Sequence, residues 1–149
     1  MADQFAQYRH DPDVVYHWTD HDSAEQIVGM GFDDDLIGTK NGQSSGPGHY
    51  FAPYPEQARK YGSSVVAARL GNIDVHPNPW MDSDVQHEVD SLHKRNPTPR
   101  GLTDGDWRQN LIVPALQERR YYGHQDPDDG AIIVHEARHV TPLGVQHDD

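Results

Sequence analysis

The sequence contains no cysteine. A disulfide framework and a thiolate metal site are therefore excluded, while the redox compartment stays open. It has no apolar run near the roughly 18 residues that a membrane-spanning helix needs. The first ten residues, Met1 to His10, lack the basic and apolar layout of a secretory signal. A cytoplasmic protein, or an effector delivered by another route, is expected, with no membrane partner. Basic residues are scarce as well: 12 Lys and Arg stand against 24 Asp and Glu, for a formal charge of −12. Such a surface repels phosphates and lacks the footprint of a nucleic-acid binder. Hydrophobic residues make up 34% and mean hydropathy is −0.88. One α+β domain with generous loops is expected from 149 residues.

Turn formers, aromatics and histidine are what the chain does have. Residues 1–13 read as a polar arm, 14–145 as the domain and 146–149 as a polar tail. Val14 to Trp18 is β-branched and aromatic, so a strand. Thr19 to Asp22 offers caps for a helix over Ser23–Met30, closed by Gly31, with Ala24, Ile27 and Val28 on one face. The run Asp33-Asp34-Asp35 reads as a solvated turn. Ser44-Ser45-Gly46-Pro47-Gly48 is a loop leading into a short strand over 49–52. A helix then starts at Pro55 and ends before Gly62. Ser64–Leu70 is a strand, which Ile73 to Val75 extends beyond a Gly71-Asn72 break.

Asp84–Arg95 carries Val85, Val89 and Leu92 at helical spacing. Asp106–Arg120 is the longest helix candidate, and Pro114 is expected to kink it or to delay its start. Tyr121–Gly130 reads as a turn-rich connection, and Ala131–Val134 as a strand. The chain after Leu143 reads as a short polar tail.

Glycines ahead of the aromatic strand at His49–Ala52 allow a flat ligand to approach the backbone. Taken singly, His17 reads as a core histidine, Tyr50 and Tyr61 as core aromatics, and Asp128-Asp129 as a solvated turn. Taken in order, four pieces align: Val15 to Thr19 before a helix; Gly46 to Ala52 before a helix with Ala58 and Tyr61; Gly71 to Pro79; and Leu116 to Gly123 leading to Asp129 to Val134. Over roughly residues 14–145 this arrangement resembles the ADP-ribosyltransferase superfamily, in its diphtheria-toxin and poly-ADP-ribose-polymerase-like branch of small bacterial and phage-borne members.

The resemblance implies a split central β-sheet flanked by short helices, with NAD as substrate held across it. His17 would bond the adenosine ribose, and Thr19 would match the small hydroxyl residue two places on. Gly48 would offer backbone to the nicotinamide amide, and Tyr50 and Tyr61 would sandwich its ring. Trp18 and Phe51, within the same two motifs, complete the expected NAD contacts. A pyridinium suits an aromatic face. The oxocarbenium-like ribose left by nicotinamide needs a carboxylate. The family's glutamate slot falls on Ala131. Asp129 is then the nearest acid, and Asp128, Asp74 (by likeness to rifamycin-modifying transferases) and Glu136 are alternatives. His17, Tyr50 and Asp129 form the expected catalytic set. Transfer of ADP-ribose to a protein side chain, a small molecule or water is favoured over nucleic acid. A non-catalytic NAD- or ADP-ribose-binding module of the same fold is the alternative.

One motif points elsewhere. His135-Glu136-Ala137-Arg138-His139 matches the zinc-peptidase pattern of two histidines one helical turn apart with a glutamate base. It needs a helix. Ala131–Val134 and Pro142 oppose one there, and in a strand the two histidines lie about 13 Å apart. No metal is expected.

Overall fold

The computed structural model describes residues 5–37 and 45–147. Seven strands form two sheets. The strands are β1 (Val14–Thr19), β2 (His49–Phe51), β3 (Ser64–Leu70), β4 (Asp74–His76), β5 (Tyr121–Gln125), β6 (Ile132–Val134) and β7 (Val140–His147). The first sheet has the order β1-β3-β7 and is antiparallel throughout. The second has the order β2-β6-β5-β4, antiparallel except for the β4–β5 pair. Four α-helices complete the fold: α1 (His21–Met30), α2 (Pro55–Ala58), α3 (Ser83–Arg95) and α4 (Asp104–Glu118). The described residues thus form a small α+β domain of two sheets and four α-helices. Among the described residues no helix is long and apolar enough to cross a membrane.

Local chemistry sets the helix ends. Asp20 caps α1 by accepting from the Ser23 amide at 2.7 Å. Its last turn closes with the Gly31 amide on the Ile27 carbonyl at 2.7 Å, Gly31 standing at φ 87°. Asp82 and Thr103 cap α3 and α4 in the same way. Pro114 lies inside α4, which starts at Asp104 and runs through it. The two helices bury Val85, Val89, Leu111, Ile112, Ala115 and Leu116 against each other.

Alternation along β1 and β3 sends side chains to two cores. Val14, Tyr16, Val65 and Ala67 face Phe5, Ala52 and Ala58. Val15 and Ala68 face Phe51, Val134 and Val140, so this second core sits where the two sheets come together. The sheets are joined by an isolated bridge between Tyr16 and Ala52, with reciprocal amide–carbonyl bonds of 2.9 and 2.7 Å. One residue further along, no strand pairing continues. Instead His17 Nδ1 donates to the Tyr50 carbonyl at 2.7 Å.

Several expectations are corrected. Residues 5–13 are not a free arm: Phe5 is 1% exposed against Tyr16, and Arg69 binds Asp11 at 2.7 Å. The tail is instead β7, which pairs with β3 along its whole length and takes in Gln146 and His147. Asp148 and Asp149 lie outside the described residues. Asp74 to His76 does not extend β3 but forms β4 in the other sheet, parallel to β5. Tyr121–Gln125, expected as a connection, is β5.

Candidate functional site

The cleft opens where β1 and β2 part beyond the Tyr16–Ala52 bridge, and it encloses about 1010 Å³. That lies at the upper end of the usual range for small-molecule sites. His17, Trp18, Thr19, Gly48, Tyr50 and Tyr61 all line it. Phe51 does not; it is wholly buried in the core between the sheets. Alternation explains the difference, because Tyr50 and Phe51 are neighbours on one strand and face opposite ways.

Each lining residue is fixed differently. His17 donates from Nδ1–H to the Tyr50 carbonyl. Its ring is packed edge-on by Phe32 and tilted against Phe51. The Tyr50 hydroxyl donates to the Gly46 carbonyl at 2.6 Å and accepts from the Ser45 amide at 2.8 Å. Burial pushes its phenol up to about 12, with smaller contributions from the charges of Asp126 and Asp129. Tyr50 therefore stays neutral and ties the glycine loop to β2. Gly48 has no room for a side chain: a Cβ there would sit 2.4 Å from Ile133 Cγ2 and 2.9 Å from the Val134 carbonyl. Gly62 is likewise pressed against the Thr19 backbone, with 2.7 Å from a Cβ to the Thr19 amide.

The two tyrosines do not face each other across an open slot. Trp18 contacts Tyr61 with ring centroids 5.1 Å apart at 44°. It also packs on the cluster of Tyr50, Ala131 and Ile133. Tyr50 is 8% exposed and Tyr61 64%, so of the two tyrosines Tyr61 offers an accessible ring, beside the half-buried Trp18.

None of the carboxylates expected to complete the site lines the cleft. Asp129 is exposed, and its Oδ1 accepts from the Ala131 amide at 2.9 Å, closing its own turn. Asp128 is exposed on the same turn, and Asp74 is exposed at the start of β4. Glu136 pairs with Arg138 at 3.2 Å. Ala131, in the glutamate slot, is buried beside Tyr50.

The acids that do line the cleft are Asp20 and the run Asp33-Asp34-Asp35, with no lysine or arginine among the described lining residues. Asp34 is the anchored one. Its Oδ1 accepts from His49 Nε2–H and from the Ala137 amide, each at 2.7 Å. Partial burial raises its pKa, but these bonds outweigh it and hold the carboxyl below the usual range. Asp34 is thus ionised at neutral pH. A run of acids in sequence looks like solvated turn, and only the packing of His49 and Ala137 distinguishes Asp34 within it.

The His135–His139 motif forms no helix. His135 follows β6, and Ala137–His139 is a single 3-10 turn. His124, wholly buried, donates from Nε2 to the Ser45 carbonyl at 2.8 Å, so its Nδ1 accepts from His135 Nε2–H at 2.9 Å. The second nitrogen of His135 is buried with no hydrogen-bond partner. Burial, then the neighbouring His124 and His139, push His135 down to about 3. Among the described residues neither His135 nor His139 belongs to a group of three convergent metal ligands.

No protein-family model matches this sequence, and no curated protein matches it at a significant level of similarity.

Proposed function

We propose that the cleft binds NAD and supports ADP-ribosyltransferase-type cleavage of its nicotinamide–ribose bond. One observation carries the reading: six residues expected at an NAD site from two separate sequence motifs line a single cleft of about 1010 Å³. Tyr61 and Trp18 offer the face for the nicotinamide ring, whose cationic charge suits both the aromatic surface and the surrounding carboxylates. His17 and Thr19, both in the lining, are assigned to the ribose. As the glycosidic C–N bond breaks, its electron pair leaves with nicotinamide, which becomes neutral, and positive charge gathers on the ribose. We assign the stabilising role to Asp34 rather than Asp129, because it lines the cleft and its hydrogen bonds keep it ionised. An acceptor hydroxyl, carboxylate or water then attacks the opposite face, with inversion, and a hydroxyl or water loses its proton.

A second reading is a binding module without turnover. The buried Ala131 in the glutamate slot and the turn-bound Asp129 favour it.

Calorimetry with NAD and an assay for released nicotinamide separate the two. Tyr61 is exposed, so Tyr61→Ala folds; it is expected to weaken NAD binding by about fivefold. Asp34→Asn is expected to keep binding and to lower nicotinamide release by about tenfold or more. Absence of NAD binding in the wild type removes the proposal. Binding without release establishes the module.

A further inference from the structure

On the side of the first sheet covered by α1, three side chains outside the cleft converge. His21 and Glu25 stand four residues apart on α1 and so share one face. His147 reaches them from the end of β7, which packs against that helix. The three potential ligand atoms lie within 4.8 Å of one another. His147 Nε2–H donates to Glu25 Oε1 at 2.6 Å, and the His21 and His147 rings stack with centroids 3.7 Å apart. Behind His147 the buried Ser64 hydroxyl sits 2.6 Å from Nδ1.

We propose that His21, Glu25 and His147 form a binding site for a divalent transition-metal ion of the zinc type. Two imidazoles and one carboxylate are a donor set that zinc accepts, at about 2.0–2.2 Å per bond, with a water completing four-coordination. The ion takes the place of the single proton on His147 Nε2, which moves by way of solvent to Nδ1 of the same ring. His147 then carries its proton on Nδ1 and donates it to Ser64 Oγ. A ligating histidine needs such an oriented outer partner, and here it is already in place. Their hydrogen bond is shorter than the separation of two ligands around one ion, so Glu25 and His147 must part slightly. His21 is exposed and has only to turn its ring out of the stack. The ion would tie the end of β7 to α1, the helix whose cap Asp20 and Ser23 line the cleft mouth. The site is independent of what the cleft binds.

The test uses the full chain without a polyhistidine tag, stripped with chelator and titrated with zinc chloride by calorimetry. One high-affinity equivalent is expected, together with a rise in melting temperature. His21→Ala and Glu25→Gln, both on the exposed face of α1, should each weaken that equivalent by about tenfold or more. His10→Ala, an exposed histidine elsewhere, should leave it unchanged. Zinc binding that ignores His21→Ala and Glu25→Gln, or no binding above that of the two substitutions combined, overturns the proposal.

Discussion

His135 shows how a single residue can set the acid limit of the fold. It is neutral and buried when folded, with its pKa pushed to about 3, whereas an unfolded chain titrates it near 6.5. Above the unfolded value neither state is protonated and the group contributes nothing. Below it the unfolded state takes up a proton that the folded state refuses, so stability is lost as pH falls. Between about pH 6.5 and 5, most carboxyls remain ionised in both states, and one such group gives a slope of about 1.4 kcal/mol per pH unit. His124 is lowered too, chiefly by burial, and adds in the same direction. Urea unfolding at a series of pH values should show a steeper slope in the wild type than in His135→Gln. Equal slopes would mean that the pair is protonated within the fold.

At the scale of elements, legibility in the sequence followed locality. The Ser64–Leu70 strand, the α1 caps and the apolar face of α3 were readable because near neighbours determine them. β5 was not, because its two buried positions are Gly123 and His124, and neither looks apolar. Nor was β7, which contains Pro142 and Gly144. The structure accommodates them because β7 is an edge strand and Pro142 pairs beside the register shift at Ala67/Ala68. The same division runs through the site. The lining residues from β1 and from the glycine loop were recognisable as local motifs. The proposed carboxylate was not, since Asp34 is singled out only by His49 and Ala137, which are remote in sequence.

The N-terminal segment makes the point most plainly. Two aromatics among polar residues read as an arm, yet Phe5 fills the core beneath Tyr16, with centroids 5.4 Å apart. Phe5→Ala should cost about 3–4 kcal/mol in denaturant unfolding. A loss under about 1 kcal/mol would show that the segment is detachable.

For the molecule as a whole, charge is the governing quantity. The net charge of −12 is mirrored in a cleft whose described lining carries four aspartates and no lysine or arginine. On the proposed reading, the pyrophosphate of NAD depends there on neutral donors and meets a repulsive field. Salt shortens the reach of that field from about 10 Å at 0.1 M to about 3 Å at 1 M. NAD affinity measured by calorimetry should therefore rise, or hold steady, as sodium chloride is raised. A steep fall would assign the pyrophosphate to a basic partner and reverse this electrostatic account.

The seam at Tyr16 and Ala52 has one further consequence. Beyond that bridge β1 and β2 are held by a side chain rather than by a ladder. Any molecule seated across the cleft touches both sheets and acts as a clasp on the seam. The free energy it gains from a closed seam equals the free energy by which it keeps the seam closed. Affinity and local opening are then reciprocal readings of one equilibrium, and a substitution that loosens the bridge lowers affinity without touching the ligand.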